Sequence, residues 1–265
     1  MTEKEYRSMD GVSRSQLWRL KESPEHFKYA EEHPEEPTPA LIFGQMVHKL
    51  VLEPKTFDED FVIMPEVDRR TKEGRAVWAD FLEGAGDRIL IKEADYDKAV
   101  EMKDALMKID LAKKLLTGKH EIPVFWTDDL TGEPCKARLD CMVPLTDDVI
   151  IVDYKTTGDA STEAFIKSAI NYGYDFQAAM YTEGVKKTMN KKARFIFIAQ
   201  EKEPPYSVNI LAADDLLVQR GFDVFRELIG IYHDCKVSGN WYGYLGPSNQ
   251  VNVMGLPAYL AKELQ

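Results

Sequence analysis

A mixed α/β (α+β) fold, one domain with a central mixed β-sheet flanked by helices, is what this sequence predicts. Three observations lead there. Helical patterns fill the chain to about residue 118, three β-rich runs joined by tight loops occupy its centre, and helices then alternate with strands. This order suits helices packed against a sheet. With 265 residues the chain can bury a substantial core. One domain over 1–265 is expected, divided into a helical part over about 1–118, a core over about 119–212, and a C-terminal helix and tail over about 213–265.

Taken in order, Ser13-Arg14-Ser15-Gln16 has the form of a capping box, with Leu17, Trp18 and Leu20 as the apolar side of the helix it starts. Ser23-Pro24 opens a second short helix with proline at its first position. The proline-rich, acidic stretch EEHPEEPTP breaks the pattern. Thr38-Pro39 starts a helix to about Leu52, ended by Pro54, with Leu41, Gly44, Gln45, His48 and Leu52 along one face. Glycine inside a helix costs about 1 kcal/mol relative to alanine, so Gly44 suggests close approach by another backbone. DFVIMP reads as a strand, followed by helices over about Lys72–Glu83 and Glu93–Leu116, with Gly118 as the stop. Beyond the central runs come helices over about Thr162–Ile170 and Tyr174–Met189. Two strands follow, ARFIFIAQ and YSVNIL, then a long helix over about Asp214–Cys235 and a loop-like tail with a short helix at PAYLAKEL.

Composition narrows the setting. Hydrophobic residues at 44% and charged residues at 30% are those of an ordinary soluble domain. No apolar run approaches the roughly 20 residues a membrane-crossing helix needs, and MTEKEYRSMD is too charged for a signal peptide. A cytoplasmic location and no membrane partner are therefore expected. Cys135, Cys141 and Cys235 match no zinc or redox spacing and are too few for a four-cysteine iron–sulfur cluster. A net charge of −11 argues against a general nucleic-acid coating, but not against a local basic groove around an acidic metal site.

The chemistry concentrates in HEIPVFWTD, CKARLDCMVP and VIIVDYKTT, separated by DLTG and LTDD. Such loops between β-rich runs read as hairpins. A hairpin closed at Leu145–Asp148 places Asp140 opposite Asp153 and Arg138 opposite Lys155; one closed at Asp129–Gly132 places Glu121 opposite Asp140. Side chains alternate faces, so Glu121, Asp140, Asp153 and Lys155 share one side, and Cys141 lies on the other with Leu139, Val143 and Val152. Facing like charges destabilise a sheet, and a divalent metal is the obvious compensation. Asp140 and Asp153 could bridge an ion with the Tyr154 backbone carbonyl as a further oxygen ligand, a donor set suited to Mg²⁺. Lys155, whose pKa can fall on desolvation, would hold the attacking water or neutralise developing charge. A lone D-x-K triplet is also the pattern of a solvated strand face, but here it follows the apolar run VIIV and faces further carboxylates.

Leu139-Asp140, twelve residues, then Asp153-Tyr154-Lys155 resembles the PD-(D/E)xK nuclease signature, with Leu139 in place of the usual proline and Asp153 where many members carry Glu. The ordered set SRSQLWRLKESPEHF, FGQMVHKLVLEP, E-x-P-V-F-W, TGEPCKARLD, VDYKTT and QAAMY, over about residues 13–181, resembles the RecE (exonuclease VIII) family of phage and prophage recombination nucleases. The resemblance implies a restriction-endonuclease-like core and Mg²⁺-dependent, processive 5′-to-3′ digestion of one strand of linear double-stranded DNA. It also implies a ring-shaped homo-oligomer (trimer or tetramer), with a single-strand annealing protein as a partner, in a bacterial or phage-infected cell.

Residue by residue, the resemblance makes His48 a metal ligand, although a lone His on an apolar helix face is also a core residue. Imidazole suits Mn²⁺ somewhat better than Mg²⁺, which leaves the ion open. Gln177 and Tyr181, matching Q-x-x-x-Y one helical turn apart, could hold a phosphate or the scissile strand, or be surface and core respectively. Arg14 and Ser15 at a helix start could bind a 5′ phosphate, or simply cap. Lys136 and Arg138 share the Asp140 face and could contact DNA backbone, as could Thr156 and Thr157. Two other readings keep the same core: an endonuclease or a Cas-associated or helicase-linked nuclease, and a non-catalytic DNA-binding subunit. The chain holds no G-x-x-x-x-G-K-[ST] loop, so no motor or nucleotide cofactor is expected, and its intact Asp140, Asp153 and Lys155 speak against a dead copy.

Overall fold

The computed structural model describes residue 1 and residues 3–256. The helix expected at PAYLAKEL lies outside them. The chain opens with α1 (Glu3–Ser8), β1 (Val12–Ser13), α2 (Arg14–Arg19) and α3 (Pro24–Glu32). Then come α4 (Pro39–Leu52), the short α5 (Phe57–Asp60), β2 (Phe61–Ile63), α6 (Lys72–Ala85) and β3 (Ile89–Ile91). After α7 (Glu93–Leu106) and α8 (Asp110–Leu115), the central strands are β4 (Lys119–Thr127), β5 (Pro134–Pro144) and β6 (Asp148–Thr157). α9 (Thr162–Tyr172), α10 (Tyr174–Met189), β7 (Lys192–Glu201), β8 (Val208–Ala212) and α11 (Asp215–Ser238) complete the order.

Local chemistry explains most boundaries. Ser13 and Gln16 form the reciprocal capping box at α2, and Thr38 accepts from the Leu41 N–H at α4. Gly173, at φ +66°, ends α9 and begins α10 in the left-handed conformation, and a Cβ there would meet the Trp18 ring at 2.4 Å. One expected helix, Glu93–Leu116, is in fact two, α7 and α8, with Ile109 extended between them. Leu106 and Leu115 both enter one core. Nine residues apart on a straight helix they would point about half a turn away from each other, so burying both requires the break. β1, β3 and α1 have no counterpart in the sequence reading, being too short to show a period.

The main sheet runs β1-β5-β6-β7-β8, with β4 on the other edge of β5, while β2 and β3 pair separately. β5 is antiparallel to both β4 and β6, and β6 is parallel to β7, so the sheet is mixed. Helices cover both faces. One core gathers Leu17, Phe27, Phe176, Met180, Phe225 and Leu228 against Val124, Leu139, Ile151 and Phe195. The other sets Met46, Val47, Leu50, Met102, Leu106 and Leu115 against Cys141, Val152, Tyr154 and Ile198.

Both hairpins close where expected. The Leu145 N–H donates to the Asp148 carbonyl at 3.0 Å, and the Gly132 N–H donates to Asp128 at 2.8 Å. The consequences for pairing are different. The β5–β6 ladder stops at Cys141 and Val152, so Asp140 and Asp153 stand just past its last pair. Beyond that point β5 pairs with β1 instead, Val12 with Cys135 and Ser13 with Lys136. The strands therefore fork. Arg138, expected opposite Lys155, has no partner on β6 and pairs with Pro123 of β4.

Strict alternation fails at the same place. The β4–β5 ladder passes from His120–Cys141 to Ile122–Leu139 and leaves out Glu121 and Asp140. Glu121 is at φ +52°, a conformation that costs a non-glycine residue of order 1–3 kcal/mol. Across this irregularity the faces switch: Leu139 joins one core, while Cys141 and Val143 join the other with Val152. Leu139 thus does not share a face with Cys141, because one residue in each strand is spent on turning a carboxylate out of the ladder.

Candidate active site

Asp140 sits at the fork, where its Oδ2 accepts the Tyr154 N–H at 3.0 Å. The carboxylate satisfies a backbone donor that the departing strand leaves unpaired. The same oxygen lies 2.8 Å from His48 Nε2, on α4. His48 Nδ1 is 3.7 Å from Glu121 Oε1, and Glu121 Oε2 takes Arg138 Nε at 2.6 Å. One donor atom each from His48, Glu121 and Asp140 lies within 4.8 Å of the others. A strained strand position and a strand fork within one hairpin meet a helix from far earlier in the sequence.

Asp153 lies on the next strand, 1% exposed. Its carboxylate pairs with Lys155 Nζ at 2.5 Å and accepts from the Gln177 side-chain amide on α10. Asp153 stands outside the group of three that converges around His48. Tyr154 contributes its N–H, to Asp140.

Burial raises the Glu121 carboxyl to about 7, against the opposing charges of His48 and Arg138. Burial also lifts Asp153, and the nearby negative charge of Asp140 adds to it. Asp140 is held down: burial pushes it up, but the charge and hydrogen bond of His48, with Lys155 beyond, outweigh that. His48 is raised, since Asp140 and Glu121 overcome the burial that would lower it. Lys155 is also raised, because Asp153 and Asp140 outweigh desolvation. The expected fall of the lysine pKa is therefore reversed, and Lys155 stands as an ammonium.

The remaining sequence candidates divide. Tyr181 borders the same acids; burial first, then Asp153 and Asp140, push its phenol well above its ordinary range, so it stays a donor. Arg14 packs near the Trp18 and Tyr174 rings, 5.6 and 5.9 Å from their centroids, and donates to the Tyr172 carbonyl. Ser15 is exposed with its hydroxyl 3.2 Å from that of Ser13, and α2 has only six residues. Thr156 lies beside Gly44 of α4. Lys136 departs from expectation. It is 6% exposed, and Nζ donates to the carbonyls of Tyr6, Arg7 and Met9 at 3.4, 3.1 and 2.5 Å. Its amine ties down the end of α1, since those helix-terminal carbonyls need donors, and this replaces the expected DNA contact.

Two aromatics went unnoticed in the sequence. Tyr174 carries Lys155 Nζ 5.2 Å from its ring centroid, with Arg14 nearby. Tyr174, Gln177 and Tyr181 recur at helical spacing, a signal that could have revealed it. Tyr6, 5.5 Å from the Arg138 guanidinium, had no such signal.

Residues 13–252 match the family described as a PDDEXK-like domain of unknown function (DUF3799). The chain belongs to that family. In this PDDEXK-like domain Asp140, Asp153 and Lys155 lie around one fork of the sheet. The chain is also similar in fold to the crystal structure of a "putative exonuclease" from Eubacterium rectale, with a TM-score of 0.65, 16% identity, and 98% of this chain and 97% of that one covered. SSO0001, a second solved structure, gives a TM-score of 0.31 at 12% identity over 71% of this chain and 85% of its own. No curated protein sequence matches the chain. Among the described residues no helix is long and apolar enough to cross a membrane.

The donor set of the PDDEXK-like site fits a divalent cation. One imidazole and two half-buried carboxylates converge where protons and ion pairs offset the like charges. His48, Glu121 and Asp140 would hold it, with Asp153 beside them.

Proposed function

We propose that this protein is a divalent-metal-dependent exodeoxyribonuclease that degrades one strand of linear duplex DNA, 5′ to 3′, releasing 5′-mononucleotides and leaving 3′ tails for recombination. The observation that carries the reading is the convergence of His48, Glu121 and Asp140 beside the Asp153–Lys155 pair. A cation bound there, Mg²⁺ or Mn²⁺, would polarise a phosphoryl oxygen and make a nucleophile of water near neutral pH.

The chain's own residues supply the rest. Lys155, kept cationic by Asp153, donates to the attacking water or a non-bridging oxygen and balances charge that builds on the phosphorus. Gln177 donates to Asp153 and so fixes the carboxylate that pairs with the lysine. Arg14 and Tyr181, close to Asp153, would serve as donors for the scissile strand. The water oxygen bonds to phosphorus and gives up one proton to solvent, the P–O3′ bond breaks, and the departing 3′ oxygen takes up a proton from solvent.

A ring-shaped homo-oligomer acting with a single-strand annealing protein belongs to the same reading, supported by the sequence resemblance. The decisive experiment is end-labelled linear duplex incubated with Mg²⁺, Mn²⁺ or EDTA, beside a covalently closed circle. Mononucleotides from the 5′ end of the linear DNA alone, abolished by EDTA, are expected. Cutting of the closed circle would make it an endonuclease, and no digestion with either metal would defeat the nuclease reading.

A further inference from the structure

Gly44 lies four residues before His48 on α4, on the same helical face. Glycine is a poor choice in a helix interior, and the sequence leads one to expect another stretch of backbone packed against it. Among the described residues there is no such neighbour: a Cβ added at Gly44 would meet only Thr156 Oγ1 of them, at 3.9 Å, an ordinary contact. Its conformation is helical, so no left-handed backbone demands glycine either.

Other glycines here are explained by their surroundings. At Gly118, Gly173, Gly184 and Gly221 a Cβ would come within 2.8 Å of backbone or ring atoms. Gly84 and Gly230 also face open space, so bareness alone argues nothing. Gly44 differs in its position. It shares a face with His48, it is half-buried, and among the described residues the one neighbour a Cβ there would meet is the residue that follows Lys155.

We propose that Gly44 is kept bare to let the sugar–phosphate backbone of the strand being cut pass between α4 and the end of β6, close enough for its phosphate to reach His48 and Lys155. The inference rests on the nuclease reading and adds a steric determinant to it: the close approach that glycine permits is made by the substrate. Gly44 contributes clearance, and the chemistry stays with its neighbours. A methyl group there should cost the protein nothing and obstruct DNA.

Gly44→Ala and Gly44→Leu test this through opposing readouts. Alanine should raise the melting temperature by about 2 °C, as a better helix former in a chain of this size. Mn²⁺ affinity should stay within about twofold, since the donors are untouched. The kcat/KM on linear duplex should fall about tenfold for alanine and about a hundredfold for leucine, as expected when reacting groups are displaced by about 1 Å. A folded leucine variant with normal Mn²⁺ binding and wild-type kcat/KM would overturn the proposal. Should leucine fail to fold, wild-type kcat/KM in the alanine variant overturns it by itself. A wild-type protein unable to digest DNA overturns the nuclease reading, and this inference with it.

Discussion

Metal binding at this site must displace protons, and the amount follows from the geometry. The Glu121 carboxyl stands at about 7 because it is buried beside Asp140. A cation takes the deprotonated form, so affinity must rise with pH. With a pKa of about 7, only about one Glu121 in eleven is ionised at pH 6 and about ten in eleven at pH 8. From this group alone the apparent affinity should climb about tenfold over that interval, or about 1.4 kcal/mol. His48 is raised as well, and its imidazolium must lose a proton before either nitrogen can ligate, which steepens the rise in the same direction. Titration calorimetry with Mn²⁺ at pH 6, 7 and 8, in two buffers of different ionisation enthalpy, counts the protons released. Glu121→Gln should weaken binding and remove about one proton from the count at pH 6. Wild-type affinity that is flat from pH 6 to 8, with no proton released, would refute the placement of Glu121 and His48 around a cation.

Three further outcomes are expected. Lys155→Met should lower kcat on linear duplex by at least about 10²-fold while circular dichroism shows a folded protein; wild-type-like digestion would remove the lysine from the chemistry. Gln177→Leu leaves an Asp153 oxygen without its donor and should cost about 1–3 kcal/mol in urea unfolding, with a drop in kcat as Lys155 loses its fixed partner. Lys136→Met should cost a similar 1–3 kcal/mol by stranding the carbonyls at the end of α1. It should leave the salt dependence of DNA binding unchanged, whereas a phosphate-contacting lysine would reduce the slope by about one.

Much of the fold was legible in the sequence because its elements are long and locally signalled. α4 and α10 occupy the residues that proline, capping and periodicity indicate, and both hairpins close at their expected loops. The elements that escaped were two- and three-residue strands, helices of four and six residues, and the break between α7 and α8. The first group carries too few residues to express a period; the break answers to a core formed by distant segments.

In the site, the sequence by itself determined which residue types are present, which lie near each other along a hairpin, and which helix carries an imidazole. Hairpin register is a local property, set by turn length. It could not say that β6 leaves β5 at Cys141 and Val152, that β1 takes the vacant edge, or that Glu121 adopts a left-handed backbone to turn out of the ladder. Those outcomes depend on packing over more than a hundred residues, because α4 must cover one face of the sheet while α2 and α10 cover the other. Only that tertiary arrangement brings His48 against Asp140 and gives Lys136 to a helix end, since a side chain's partner is fixed by what the rest of the chain places beside it.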